Sequence, residues 1–289
     1  MDILEYRKKK GSEWEERLRC MPAVKVEKEK NYLLSTYAGK TQVSIYWPKH
    51  FSTDDQLPVY INLHGGGFVL GFPEQDEFIC KTIANNAECV VVNVDYALAP
   101  ENKFPTAVYE CYDVAKWIYH HATGLGIDQQ RIAIGGHSAG GNLAIGVCMI
   151  AKDRKEFPIC CQIVDYAPLD LMTDVKEKTT AKVSESVKEY NAWYFTDKEQ
   201  ESRDKLASPV LADDLSNLPP ALVITAELDI LRKEGEIFAN RLIRSGVQTT
   251  YKMFAGCDHG FTHFGLKEDA DKAIHLMSRF LKENFQRNA

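Results

Sequence analysis

RIAIGGHSAGGNLAIGVCMIA, residues 131–151, changes its period halfway along. Ile132, Ala133 and Ile134 make a short apolar run of the kind found in a strand buried on both faces. Two glycines and His137-Ser138 follow, and from there small and apolar residues continue long enough for a helix. Working outward, the same alternation recurs. PVYINLH (58–64), CVVVNVDY (89–96), CQIVDYA (161–167), ALVITAE (221–227) and TTYKMFA (249–255) read as strands. Helical periodicity falls at 75–86, 105–121, 138–153, 232–245 and 267–285. Buried strands alternating with helices predict an α/β protein with a mostly parallel central sheet and helices on both faces. Ahead of these, NYLLSTYAGKTQVSIYWP reads as a strand pair turning at Gly39-Lys40. Trp14, Leu18 and Met21 mark one face of a short N-terminal helix. Residues 168–207 break the alternation with charges and the cluster Trp193-Tyr194-Phe195. A connection that long is expected to be a cap element and not bare loop.

The chain has 289 residues, enough for one large α/β domain or nominally two. Its 45% hydrophobic and 26% charged content excludes a disordered, collagen-like or coiled-coil chain. A net charge of −6 argues against a nucleic-acid partner, which calls for a basic stripe. The charged start MDILEYRKKK is unlike a signal peptide, and no 18-residue apolar run suggests an integral membrane segment. Eight cysteines fall mostly within apolar runs, where cysteine acts as a small buried hydrophobe, and a reduced, cytoplasmic protein is expected.

Gly136-His137-Ser138-Ala139-Gly140 is a G-x-S-x-G sequence set between strand and helix, the setting of a nucleophile elbow. By composition alone that pattern arises in roughly one chain in ten of this length, so its context carries the weight. His64-Gly65-Gly66-Gly67 is far rarer, in about one of several hundred chains. It directly follows the strand PVYINLH, where consecutive glycines can turn backbone N–H groups toward an oxyanion. A serine nucleophile needs a base, and the base needs an acid. His259, in CDHGF after the last strand, is the expected base, with His263 as nearest rival. Asp229, after ALVITAE, is the expected acid, with Glu227 and Asp258 as alternatives. A helix N-cap is the non-catalytic reading of Asp229. The i,i+4 pair His259/His263 could be a metal pair on a helix, but Gly260 and Gly265 make a helix poor there; no metal and no cofactor are expected.

HGGGF, DYALAPE with Phe104-Pro105, GHSAGG, Ser208-Pro209, LPPALVITAELDILRKEG and DHGF occur in this order and together resemble the hormone-sensitive-lipase group of α/β-hydrolases, which includes bacterial carboxylesterases and arylacetamide deacetylase. The resemblance covers about residues 55–265. It implies an α/β-hydrolase fold, Ser138 as nucleophile, Asp229 as acid and His259 as base. Gly66, Gly67 and the N–H of Ala139 would form the oxyanion hole, with Gly65 adjacent. Asp95, Tyr96 and Glu101 match a supporting motif. One departure is Asp229-Ile230-Leu231, where the family often has Asp-Pro-Leu. The expectation is a single domain over 1–289, capped by about 1–45 and 168–207, hydrolysing short- to medium-chain carboxylic esters. An amidase or deacetylase on the same triad is the alternative, and a non-catalytic small-molecule binder a further one. The expected partner is a small-molecule ester; a homodimer is neither required nor excluded by these residues.

Overall fold

Chain order and sheet order differ, and that difference places the site. The computed structural model describes residues 2–51, 56–178 and 185–288. Helix α1 (Ile3–Cys20) precedes a hairpin of β1 (Lys28–Thr36) and β2 (Gly39–Trp47). Then come β3 (Leu57–Leu63), α2 (Glu77–Ala87), β4 (Val90–Asp95), α3 (Thr106–Leu125), β5 (Ile127–His137), α4 (Ala139–Arg154) and β6 (Cys161–Asp165). After β6 lie α5 (Val175–Lys178), α6 (Glu185–Tyr194) and α7 (Lys198–Glu201). The chain ends with β7 (Ala221–Ala226), α8 (Arg232–Arg244), β8 (Thr249–Phe254), α9 (Phe261–Phe264) and α10 (Lys267–Arg287).

The strands form one eight-stranded sheet in the order β1-β2-β4-β3-β5-β6-β7-β8. Only β2 runs against the rest: it pairs antiparallel with both β1 and β4, and the other pairings are parallel. The continuous Val/Ile runs follow from burial on both faces. Val59, Ile61, Val92, Ile134 and Val223 face one apolar layer, in which α3, α4 and α8 also pack. Tyr60, Val91, Ala133, Ile163 and Ile224 face the other, with α2 and α10. All eight cysteines are free; seven are buried and Cys20 is exposed. Strand β5 starts four residues earlier than its apolar core suggests, because buried Ile127 pairs with Leu57.

The N-terminal helix and strand pair read from the sequence are α1 and the β1–β2 hairpin, which turns at Tyr37-Ala38, just ahead of the expected Gly39-Lys40. The expected cap boundary near residue 45 is corrected: residues 28–47 belong to the sheet, where Val43, Ile45 and Trp47 are buried. The alternating pattern of β2 has a core face to fill, so it joins the edge instead of standing over it. Helix α1 alone lies at the site. In the insert, the cluster Trp193-Tyr194-Phe195 is structural: Tyr194 stacks on Phe68 with ring centres 4.0 Å apart, and Phe195 meets Phe104. Part of the expected 168–207 cap, residues 179–184, lies outside the described residues. Just before them, the chain is tied to the body by a nearly buried ion pair, Lys178 Nζ to Glu234 Oε1 at 2.7 Å. The other Glu234 oxygen accepts the N–H groups of Leu169 and Asp170.

Candidate active site

Strand β5 and helix α4 meet at Ser138, whose backbone sits at φ 51°, ψ −117°, outside the ordinary regions for a residue with a Cβ. Strain of this kind costs about 1–3 kcal/mol and persists only where the surroundings over-determine it. Here they do. The Ser138 N–H donates to the Asp165 carbonyl at 2.8 Å, and the Ser138 carbonyl accepts from Gly141 and Asn142. The flanking glycines are required by the neighbouring strand more than by each other. A Cβ on Gly140 would stand 1.9 Å from the Leu63 carbonyl oxygen, and one on Gly136 would stand 2.2 Å from the same atom. Only glycine lets the turn rest on the end of β3.

His259 follows β8 and reaches across to this serine. Ser138 Oγ lies 3.0 Å from His259 Nε2, and His259 Nδ1 lies 2.8 Å from Asp229 Oδ2. An ionised carboxylate only accepts, so Nδ1 carries the proton and Nε2 is left to accept the serine hydroxyl. The Asp229 side chain is 1% exposed and that of His259 is 40% exposed, toward the cavity. Burial alone lowers the His259 pKa, but the hydrogen bond and charge of Asp229, aided by Asp165 and Asp258, outweigh it and raise the pKa above the ordinary 6.5. The N-cap reading of Asp229 is half realised, since Oδ1 accepts the Leu231 N–H at 2.9 Å while Oδ2 serves the imidazole. The alternative acids are engaged elsewhere: Glu227 accepts the Gly256 N–H, and Asp258 accepts the backbone N–H of His259.

The glycine loop lies beside the serine. Gly66 has φ +135°, and a Cβ there would overlap the Leu70 carbonyl at 2.0 Å. Gly67 has φ +61°, and its missing Cβ is replaced by the Tyr190 ring 2.6 Å from that point. Among the described residues, the N–H groups of Gly66 and Gly67 donate to no backbone acceptor. Ala139 opens α4, where first-turn N–H groups have no helical partner, and no side chain caps them. Gly65 differs, because its carbonyl is held by His64 Nδ1 at 2.8 Å and by Gln75 Nε2 at 3.1 Å. His64 is therefore a loop support, stacked on Tyr96, whose hydroxyl donates to the His64 carbonyl at 2.7 Å.

These groups open onto a cavity of about 670 Å³. Its lining is largely aromatic and aliphatic, with Trp14, Phe72, Leu98, Tyr190 and Ile230 prominent, and Tyr6, Gln75 and Lys178 among its polar groups. Helix α1 spans the mouth. Arg7 donates to both carboxylate oxygens of Glu101 at 2.8 Å and to the carbonyls of Val69 and Ala99. Tyr6 and Tyr190 share a hydroxyl contact of 2.9 Å, joining α1 to α6 across the opening. In the insert the sequence points to the aromatic residues 193–195, as packing of a cap helix onto the body or as an acyl-site lining. The cavity instead takes Tyr190 and Asn191, one turn earlier on α6.

The rival His263 is not near the serine in role. Its Nε2 lies 2.8 Å from Asp76 Oδ1, and its Nδ1 lies 3.0 Å from the hydroxyls of Tyr166 and Thr262. It belongs to a second, buried set that sequence reasoning missed. In that set His137 Nδ1 meets Asp165 Oδ2 at 2.7 Å, and its Nε2 stands 3.9 Å from Asp76 Oδ2. Burial by itself would raise the Asp76 pKa and lower that of His137. The charges they present to each other, with the help of His263 and Asp165, reverse both directions.

Comparison with known proteins shows the family and the fold. A family model described as alpha/beta hydrolase fold matches residues 60–263. An arylesterase of Saccharolobus solfataricus is 37% identical over 241 residues, 78% of this chain and 74% of its own. The carboxylesterase NlhH of Mycobacterium tuberculosis is 33% identical over 239 residues, 80% of this chain and 74% of its own. Among solved structures, an esterase of Pyrobaculum calidifontis superposes with a TM-score of 0.91 at 34% identity, covering 98% of this chain and 93% of that one. The thermostable carboxylesterase EstE1, cloned from a metagenomic library, also gives 0.91 at 34% identity, covering 99% and 98%.

Proposed function

The chain belongs to the hormone-sensitive-lipase-like α/β-hydrolases, and from that premise we propose that it is a carboxylesterase-type serine hydrolase acting through Ser138, His259 and Asp229. The observation that carries this reading is the continuous chain of contacts from Asp229 through His259 to Ser138 Oγ, at 2.8 and 3.0 Å. Ser138 Oγ attacks the ester carbonyl as His259 Nε2 takes its proton. Asp229 holds the imidazole tautomer and stabilises the imidazolium. The carbonyl oxygen becomes an oxyanion facing the N–H groups of Gly66, Gly67 and Ala139. As the intermediate collapses, the ester C–O bond breaks and His259 returns the proton to the leaving alkoxide. Water then repeats the sequence on the acyl-serine, releasing the carboxylic acid.

The cavity supports a small, apolar ester of short- to medium-chain acid. At about 670 Å³ it falls within the range of small-molecule sites, and its aromatic walls suit an acyl chain or aryl alcohol more than a charged group. The chain reads as one domain with a cap of α1 and the 168–207 insert. Among the described residues no helix is long and apolar enough to cross a membrane. A series of p-nitrophenyl esters of increasing acyl length tests the reading, run beside an aryl ester and its anilide. A burst of p-nitrophenol followed by turnover, an optimum below about ten carbons, and preference for ester over anilide are expected. An optimum at long chains, or faster cleavage of the anilide, would replace the substrate class with another.

A further inference from the structure

Behind the cavity wall, Asp76, His137 and His263 converge from three separate parts of the chain, and one donor atom from each lies within 4.8 Å of the others. Their side chains are at most 4% exposed. Both histidines are among the residues that line the cavity. His137 is held by Asp165, which accepts its Nδ1–H and turns Nε2 away. A histidine held through one nitrogen by a carboxylate, with the other free, is the arrangement that presents an imidazole to a cation. That second nitrogen is buried and has no hydrogen-bond partner. At 3.9 Å from Asp76 Oδ2 it is too far for a hydrogen bond. Tetrahedral bonds of about 2.0–2.1 Å place ligand atoms roughly 3.3 Å apart. The separations lie on either side of that value, one to each oxygen of the same carboxylate: 3.9 Å from His137 Nε2 to Asp76 Oδ2 and 2.8 Å from His263 Nε2 to Asp76 Oδ1. The ion pairs of Asp76 and Asp165 among the described residues run only to histidines, so no lysine or arginine occupies the cation position.

We propose that Asp76, His137 and His263 form a binding site for one zinc-class divalent cation, held by the Asp76 carboxylate and two imidazole Nε2 atoms. Imidazole and carboxylate donors suit Zn²⁺ and Co²⁺. His263 now gives its Nε2–H to Asp76. On binding the ion, that proton moves to Nδ1, where the hydroxyls of Tyr166 and Thr262 stand ready to accept it. The net proton count is unchanged. Asn62 Nδ2, 2.8 Å from Asp76 Oδ2, keeps the carboxylate oriented. This site is separate from the triad, whose own imidazole and carboxylates could attract the same ion.

The experiment titrates chelator-treated protein with Co²⁺ alone and follows visible d–d absorption. Saturation at about one equivalent, with displacement by Zn²⁺, is expected. His263→Gln and Asp76→Asn should abolish the signal. Asp165→Asn should weaken binding about 10–100-fold by releasing the His137 ring. His259→Gln should leave it intact. Absence of saturable binding overturns the site, as does binding that survives His263→Gln but vanishes in His259→Gln. Should the Asp76 and His263 variants fail to fold by circular dichroism, anomalous scattering from wild-type crystals soaked in Co²⁺ decides. A peak among the three residues supports the site; a peak only beside His259, or none, refutes it.

Discussion

His259 and His137 each give Nδ1–H to a buried carboxylate at nearly the same distance, 2.8 Å to Asp229 and 2.7 Å to Asp165, yet their second nitrogens meet opposite surroundings. His259 Nε2 stands 3.0 Å from a serine hydroxyl, and 40% of its side chain faces the cavity. His137 Nε2 has no hydrogen-bond partner, and its side chain is 2% exposed. The imidazole–carboxylate pair is thus a common device that fixes a tautomer. What it does depends on what the free nitrogen reaches. At the cavity it reaches a hydroxyl and can move a proton; behind the wall it faces another carboxylate.

The comparison breaks most sharply at the serine. Ser138→Ala should lower kcat for p-nitrophenyl acetate by about 10⁶-fold while leaving the circular dichroism spectrum unchanged. Asp229→Asn should cost about 10⁴-fold, because the wrong imidazole tautomer then faces Ser138. Asp165→Asn alters the twin pair and should reduce turnover far less than Asp229→Asn. Its main effect is on stability, with about 1–3 kcal/mol lost in urea unfolding as the buried partner is left unsatisfied. Equal losses of turnover in the two variants would erase the distinction between the pairs.

Smaller effects sharpen it. The pH profile follows from the sign of the His259 shift. The imidazole must be neutral to accept the serine proton, and its pKa is raised above 6.5. Activity is therefore full above that raised value and lost as pH falls through it. The acidic limb of kcat/KM should lie above pH 6.5, and a midpoint below that would contradict the electrostatic role given to Asp229. Last, Tyr190→Ala removes the ring lying against Gly67 and widens the cavity. The acyl-length optimum should move up by about two or more carbons, at roughly 0.8 kcal/mol for each methylene accommodated. An unmoved optimum would take Tyr190 out of the acyl wall.

The sheet and the elbow were legible because their signals are local. A continuous Val/Ile run signals a strand buried on both faces, and G-x-S-x-G gains its meaning from the strand before it and the helix after it. The aromatic cluster at 193–195 stands out in the sequence and packs on the body, yet the residues that reach the cavity, Tyr190 and Asn191, sit one turn earlier on α6. Helical phase over a short charged stretch does not reveal which side faces a cavity. The set of Asp76, His137, Asp165 and His263 was not legible at all. Its partners are 28 and 187 residues apart in the chain and meet only because the ends of β5 and β6, the start of α2 and the short helix α9 come together. Arg7 makes the same point at the cavity mouth: it looks like a surface charge until α1 folds over the glycine loop and brings it to Glu101. The sequence also hid why Gly140 is needed, since the atom it would strike belongs to Leu63 on another strand.

The most direct test of Ser138 as the nucleophile served by His259 is intact-protein and peptide mass spectrometry after reaction with a fluorophosphonate. One adduct is predicted, on Ser138, forming rapidly in the native chain and hardly at all in His259→Gln. Hydrolysis of p-nitrophenyl acetate that continues with Ser138 unlabelled, or an adduct on another residue that abolishes turnover, would contradict it.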